Sequence, residues 1–348
     1  MNDTTPKRIY RVGLIGCGAI GDESQDVLQS VPGWIPFPYS HAPALRAHDQ
    51  THLVAVADPD SERLIRFCDR WEVVGRYGSI EDLLASEKLD IVVVASPTWH
   101  HTEAFIQAAE AEVLGVYLEK PVARSLRDAD SMITAATKHG TAAVINYFRS
   151  FDPSYRRARD LIAEGIIGEI TGVVVVWGEG ISQGGCHLFD LLRMMLGSSV
   201  DWVFADMDRD PSLKDPGGSF IMSLRNNVKV VVHMPWVLNA PAQLEVIGKT
   251  GTIKLTHYER TITHFKVINE RTVPMIAPFF ARDCTRSGML VALDELIAQI
   301  EHGTPPSSGL LEGRAALEIT GALIESGKQH RPISLPYQDL DVLIDSWL

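Results

Sequence analysis

Positive charge is what this 348-residue chain most lacks. Its 32 Lys and Arg stand against 44 Asp and Glu, a net charge of −12. With no surplus of cations to displace counterions, neither nucleic acid nor an anionic membrane is expected as a partner. Cysteine is scarce as well. Cys17, Cys68, Cys186 and Cys284 have neither C-x-x-C spacing nor the density of a disulfide scaffold. No apolar run approaches the roughly 20 residues of a membrane span, and Met1 to Arg8 is polar, without an apolar signal region. These absences predict a soluble protein of the reducing cytoplasm. The remainder is ordinary globular composition, 45% hydrophobic and 22% charged, in a chain long enough for two domains.

The chain is organised around one turn near its start. Val12-Gly13-Leu14-Ile15 runs without a polar spacer into Gly16-Cys17-Gly18-Ala19-Ile20-Gly21, a G-x-G-x-x-G pattern. Such a turn suits a pyrophosphate: Gly16 for the tight turn, Gly18 for close backbone approach, Gly21 for helix packing. A helix opening at Ala19 and Ile20 would aim its amides at the phosphates. A second apolar run, Leu53 to Ala57, ends in Asp58. A carboxylate there can accept from both hydroxyls of an adenosine ribose and would repel a 2′-phosphate. Pro59-Asp60 follow with no immediate Arg, and Arg63 lies one turn away, so NAD is expected rather than NADP. Asp58 lies 37 positions beyond Gly21, against roughly 20 in a standard unit. The surplus is an inserted loop over residues 22–40, rich in proline and aromatics. It reads equally as a loop tucked onto its own domain or as a lid or subunit contact.

Helix and strand patterns then alternate. Helices are expected over Ser61–Trp71, Ser79–Ser86, Thr102–Ala111 and Ser125–Lys138. Strands are expected at Val73-Val74, Ile91–Ala95, Val113–Leu118 and Ala142–Ile145. Fully apolar strands alternating with helices predict a doubly wound parallel sheet, the Rossmann arrangement, over residues 1–147. Beyond it a helix at Pro153–Glu164 precedes consecutive strand-like runs at Gly172–Trp177, Ser219–Ser223, Val228–His233, Gln243–Ile247 and Thr252–Thr256. Arg225-Asn226-Asn227 and Lys249-Thr250-Gly251 read as hairpin turns, and helices at Leu290–Gly303 and Leu311–Gly327 close the chain. Residues 148–348 are therefore expected to form an α+β domain with an open, mainly antiparallel sheet. Helices enough for one face leave the other to a partner, which predicts a homodimer or homotetramer through that sheet.

Four stretches complete a pattern. With the glycine turn, Ser96-Pro97-Thr98-Trp99-His100-His101, Leu118-Glu119-Lys120-Pro121, and Gly184-Gly185-Cys186-His187-Leu188-Phe189-Asp190-Leu191, the chain resembles the Gfo/Idh/MocA family, relatives of glucose–fructose oxidoreductase and inositol dehydrogenase. The segment from Pro305 to Pro332, with Glu312 to Leu317, is similar to the family's C-terminal part. The resemblance implies NAD(P)-dependent hydride transfer between nicotinamide and a secondary hydroxyl or ketone of a sugar, cyclitol or related polyol. It places Ser96, Pro97, Thr98, His101, Glu119 and Lys120 on the cofactor side. His100 and His101 serve the loop over the nicotinamide or cap a helix.

Lys120 has a physical case of its own. It follows the carboxyl end of a parallel strand, where ligands of open α/β sheets bind, and Pro121 fixes its backbone. There an ammonium can hydrogen-bond the reacting oxygen and relay its proton. His187 follows two glycines at a helix start, and helical spacing puts Gln183, His187 and Asp190 near one face. Relatives usually carry Asp where this chain has Gln183. A glutamine orients a hydroxyl but takes no proton, which leaves Lys120 and His187 as the proton-handling pair and Gln183 as a substrate-binding residue. Tyr147 and Arg149 lie on the exit from the first domain. Either can touch substrate, and Arg149 can equally pair with an acid. The histidines at 41, 48, 100 and 101 lack a partnering array of zinc type, so no metal is expected. Two other functions fit the same residues: a glycosidase using NAD transiently through oxidation and elimination, and a dinucleotide-sensing regulator without turnover.

Overall fold

A computed structural model describes residues 7–23, 37–208, 215–235, 242–256, 261–275, 279–280 and 286–344. The chain divides into two compact units, the first comprising Met1–Glu119, Asp130–Asn146 and Ser287–Leu310 and the second Lys120–Ala129, Tyr147–Arg286 and Leu311–Leu348.

The first unit is built on a six-stranded parallel sheet: β1 (Tyr10–Ile15), β2 (Thr51–Ala57), β3 (Gly75–Tyr77), β4 (Ile91–Val94), β5 (Gly115–Leu118) and β6 (Ala142–Ile145), in the order β3-β2-β1-β4-β5-β6. Strands β4, β5 and β6 are buried at every position, which is why they read as unbroken apolar runs rather than alternating ones. Strand order reverses between β1 and β4, placing the glycine turn at a switch point of a doubly wound sheet. The helices obey their capping chemistry. Asp60 accepts from Arg63 N at the start of Ser61–Trp71, and Ser79 accepts from Asp82 N at the start of Ile80–Ser86.

Two local expectations need correction. The strand expected at Val73-Val74 lies two residues on, at Gly75–Tyr77. Val73 is buried and Val74 is 91% exposed, and pairing with β2 begins only at Gly75 against Ala55. The helix expected after the glycine turn is, among the described residues, one turn of π-helix over Ala19–Glu23. Asp22 holds that turn by accepting from Trp71 Nε1 at 2.9 Å and pairing with Arg70 at 3.2 Å. Most of the inserted loop expected over 22–40, residues 24–36, lies outside the described residues. A helix that the sequence reading did not anticipate follows at once, His41–Ala47.

One helix of the first unit comes from far along the chain. Gly288–His302 buries Met289, Leu290, Leu293, Leu296 and Ile297. Leu296 and Ile300 lie so close over β5 that a Cβ at Gly115 would meet them at 3.0 and 2.9 Å. Tyr10 donates to Glu301 at 2.8 Å, Gln299 Oε1 accepts from Ala143 N, and Ser308 O accepts from Ile145 N. The last two satisfy the free edge of β6.

The second unit carries a ten-stranded mixed sheet: β7 (Ile170–Val176), β8 (Val200–Met207), β9 (Gly218–Leu224), β10 (Lys229–Met234), β11 (Gln243–Gly248), β12 (Gly251–Thr256), β13 (Thr261–Ile268), β14 (Arg271–Pro274), β15 (Phe279–Phe280) and β16 (Ile333–Ser334). Its order is β14-β13-β12-β11-β7-β10-β9-β8-β16, with β15 on β13. Among the described residues only β7 and β10 of this sheet pair in parallel; its other ladders are antiparallel. Both expected hairpin turns join their strands, the first with Asn227 in the left-handed region. β10 shows the one-sided pattern, with Val230, Val232 and Met234 buried and Val231 and His233 exposed.

Five large side chains buried by Gly288–His302 contribute roughly 7–15 kcal/mol, as much as a whole domain's net stability. A fragment ending at residue 147 is therefore expected to lack a cooperative melt, and the same fragment joined through a short linker to residues 287–310 to regain one. Calorimetry that showed equal melts for both would remove this helix from the first unit's core.

Candidate active site

The glycine turn of the first unit has the shape of a phosphate cradle. Gly16 has φ of 88°, and a Cβ there would strike the Ala95 carbonyl oxygen at 2.7 Å; one at Gly21 would strike Gly16 O at 2.8 Å. Both glycines are required by backbone contact alone. A Cβ at Gly18 would meet nothing within 4 Å, so this is the glycine that opens onto ligand space, with Ala19 and Ile20 beginning the π turn beside it. These features fit a dinucleotide pyrophosphate.

Asp58, buried at the tip of β2, is tied into the same turn. Oδ2 accepts from Cys17 N at 3.0 Å and from Cys17 Sγ at 3.3 Å, and Oδ1 accepts from Asp60 N at 2.9 Å. Arg63, read as a turn away, already pairs with Asp58 at 3.4 Å. Burial, reinforced by this carboxylate, pushes the Cys17 thiol far above its usual range. The Ser96-Pro97-Thr98 turn follows β4. His101, 1% exposed, bonds Ser96 O through Nε2 at 2.9 Å, so its ring braces the turn.

Glu119, which ends the first segment of this unit, lies in a buried network. Its Oε1 bonds His41 Nε2 at 2.8 Å and accepts from Asn146 Nδ2 at 2.6 Å; Tyr117 in turn donates to Asn146 Oδ1 at 2.9 Å. The His41 ring stands edge-on to Tyr117, 4.9 Å between centroids. Complete burial drives the Tyr117 phenol well above its usual value. The partners come from three separate stretches, so no spacing in the sequence announces them.

The next residue, Lys120, opens the second unit, where most of the remaining candidates gather around the helix Gln183–Leu196. Lys120 Nζ donates to Gln183 Oε1 at 2.7 Å. His187, one turn on and buried, sits edge-on between Tyr147 and Phe148, at 5.6 and 5.2 Å between ring centroids. Arg149 lies against the faces of Phe148 and Trp177, at 4.6 and 4.8 Å. Trp177 Nε1 donates to Gly184 O at 3.0 Å. Gly184 is required where it is: a Cβ would stand 2.6 Å from Gly178 O. Asp190 leaves the group. It accepts from Ser150 Oγ and pairs with Arg193 at 3.4 Å, tethering the helix rather than facing a ligand.

One residue missed from the sequence belongs here. Asp215, 2% exposed, accepts from Ser182 N at 2.8 Å and Gln183 N at 2.9 Å. It caps the helix from another strand connection, since Ser182 makes no side-chain cap of its own. Burial raises its carboxyl above the usual range, opposed by the two amide bonds and by the charge of Lys120. The Cys186 thiol, wholly buried, is pushed up to about 12; Lys120 and Arg149 oppose the shift, while Asp215 and Glu179 add to it. Asp215 stands before the Gly217-Gly218 pair with nothing in its own neighbourhood to mark it. Among the described residues no three His, Cys, Asp or Glu side chains cluster as a metal site.

A doubly wound sheet with a phosphate cradle, followed by a mixed-sheet unit presenting lysine and histidine, defines an NAD-binding oxidoreductase. Residues 10–147 match the model of the oxidoreductase family with an NAD-binding Rossmann fold, and residues 178–254 match the GFO/IDH/MocA C-terminal domain. The chain belongs to the Gfo/Idh/MocA family. Myo-inositol 2-dehydrogenase of Thermotoga maritima is 25% identical, covering 93% of this chain and 98% of its own. 2,7-anhydro-N-acetylneuraminate hydratase of Escherichia coli K12 is 32% identical over 62% of this chain and 63% of its own. Among solved structures, aldose-aldose oxidoreductase from Caulobacter crescentus superposes with a TM-score of 0.79 at 19% identity, covering 94% of this chain and 100% of its own.

Asp58→Ala is expected to weaken NAD binding by about 1.5–3 kcal/mol, roughly 10–100-fold, through loss of charge-assisted hydrogen bonds. Fluorescence titration with NAD and NADP checks it. An unchanged NAD affinity would confine Asp58 to bracing the Cys17 turn.

Proposed function

We propose that the protein is an NAD-dependent dehydrogenase acting on a secondary hydroxyl, or in reverse a ketone, of a sugar, cyclitol or related polyol. The observation that carries the reading is the 2.7 Å bond from Lys120 to Gln183 on the helix that also bears His187. A lysine directly following Glu119 in the chain, and so continuous with the cradle-bearing unit, is thereby held among substrate-facing groups. The similarity to myo-inositol 2-dehydrogenase supports a polyol substrate. NAD, when bound, supplies the hydride acceptor. Lys120 hydrogen-bonds the reacting oxygen, and His187 with Lys120 carries the hydroxyl proton away. Gln183 holds Lys120 in place and touches substrate, as do Tyr147 and Arg149. Ser96, Pro97, Thr98, His101 and Glu119 shape the cofactor side. Among the described residues Cys17, Cys68 and Cys186 are free.

A second reading keeps the redox chemistry transient, with no net NADH, and draws on the 32% identity to a hydratase. Absorbance of reduced nicotinamide across a panel of sugars and inositols separates the two. Steady NADH formation supports the dehydrogenase; product without net NADH supports the alternative; neither, with NAD bound, leaves a sensor.

Removing a proton-handling group costs about 10²–10⁴-fold in turnover. Lys120→Ala and His187→Ala are each expected to lower kcat by that factor with NAD affinity nearly kept, and Gln183→Ala chiefly to raise KM. If Gln183→Ala abolished kcat while His187→Ala did not, the roles would have to be exchanged.

Assembly is proposed from the open face of the second sheet. Val174, Val231 and Ile221 are 44%, 46% and 37% exposed and lie side by side across β7, β10 and β9. A contiguous apolar stripe of this kind marks a contact surface. A homodimer or homotetramer is expected through it, and Val231→Lys to shift the mass measured by light scattering toward the monomer. A monomeric wild type at micromolar concentration would exclude this.

A further inference from the structure

Arginines in this chain are typically paired: Arg127 with Asp341, Arg193 with Asp190, Arg63 with Asp58 and Asp60. Arg149 is different. Among the described residues it has no ion pair; its contacts are the faces of Phe148 and Trp177, and its Nε is buried without a hydrogen-bond partner. A buried donor left unsatisfied costs free energy. The cost persists here in a side chain whose Cζ lies over two aromatic rings, at 4.6 and 4.8 Å from their centroids. Stacking occupies the faces of a guanidinium and leaves its edge, the fork of N–H donors that matches a planar anion, for something else.

A second unsatisfied donor lies in the same group. Gln183 uses Oε1 to accept from Lys120, which fixes the orientation of the amide, and Nε2 is then buried with no acceptor. The two donors belong to one neighbourhood. Arg149 covers Trp177, Trp177 bonds the Gly184 carbonyl one residue from Gln183, and the charges of Arg149 and Lys120 both reach Cys186. The acids nearby do not answer them. Asp215 spends its oxygens on Ser182 N and Gln183 N, and Glu179 is exposed.

We infer that the substrate carries a carboxylate, gripped by the guanidinium edge of Arg149, with Gln183 Nε2 donating to an acceptor oxygen of the same molecule. Resting on the dehydrogenase reading, this narrows the substrate class to sugar acids such as uronates and aldonates. A monoanion suits the site better than a phosphate ester, whose second charge would approach the buried carboxylate of Asp215. It also gives position 183 a reason to be glutamine, since an aspartate there would face the ligand's own carboxylate.

The test uses the NADH-loaded protein and matched probes: glucuronate with glucose, galacturonate with galactose, gluconate with sorbitol, together with myo-inositol and glucose 6-phosphate. Calorimetric binding is measured first and NAD reduction second. At least one acid is expected to bind roughly 10–100-fold more tightly than its neutral partner, the span of a charge-assisted hydrogen-bond pair. Arg149→Met should erase most of that ratio, Arg149→Lys should keep part of it, and Gln183→Asp should weaken the acid selectively. Melting curves without sugar establish that each variant is folded. The inference is overturned if no acid binds at millimolar concentration, if the neutral partner binds as well in every pair, if glucose 6-phosphate is preferred, or if folded Arg149→Met keeps the ratio. Acid-selective binding that depends on Arg149 but yields no NADH with any bound sugar would sustain the carboxylate site and remove the dehydrogenase reading.

Discussion

The second unit depends on how one helix begins. Residues Gln183–Leu196 start with two glycines and no side-chain cap of their own, so the amides of their first turn need acceptors from elsewhere. Asp215 takes Ser182 N and Gln183 N, and Gly180 O takes Gly184 N and Gly185 N. Pro216 O fixes the approach by accepting from Ile181 N. The candidate residues Gln183 and His187 both hang from that start. Gln183 meets Lys120 only if the first turn is where Asp215 puts it, and His187 reaches Tyr147 and Phe148 one turn later. The far side is held by Asp190 through Ser150 and Arg193.

The first unit solves a related problem with backbone alone. Gly16 must accept a left-handed φ against the Ala95 carbonyl, and Gly21 must lie against Gly16, so β1, the turn and the end of β4 form one rigid joint. Asp58 reinforces it through Cys17 N. The carboxylate expected to read a ribose therefore also braces the turn, and Arg63 beside it moderates the negative field. Glu119 likewise bonds His41 and Asn146 inside its own unit, holding still the strand end from which Lys120 departs.

Buried ionisable groups in both units are mostly paired or hydrogen-bonded, as low dielectric demands. Arg149 and the amide of Gln183 depart from that rule, and both departures fall beside Lys120 and His187. Other buried polar atoms, among them Gln107 Oε1, Thr141 Oγ1 and His264 Nε2, also lack a partner, but these two donors lie in one neighbourhood, where a single ligand would complete both.

Local pattern determined a great deal of this protein. The parallel sheet was legible because β4, β5 and β6 are buried on both faces and so are apolar at every position. The helix at Ser61–Trp71 was legible in the alternation of helix and strand patterns, and the glycine turn from the order strand, G-x-G-x-x-G, acid. Lys120, His187 and Gln183 stood out because short motifs carry them. Other features required tertiary structure. β8 is only partly buried and β14 is exposed at every position, so neither carries a clear alternation, and β3 shifted by two residues because its register is set by β2. The helix Gly288–His302 reads correctly as a helix, yet only packing assigns it to the sheet nearly 150 residues earlier. Asp215 and His41 matter through partners 32 and 78 positions away. Whether Arg149 pairs with an acid or waits for one was undetermined in the sequence, because pairing is a fact about distances in space. A residue type states what chemistry is available; only the fold decides whether that chemistry is already spent.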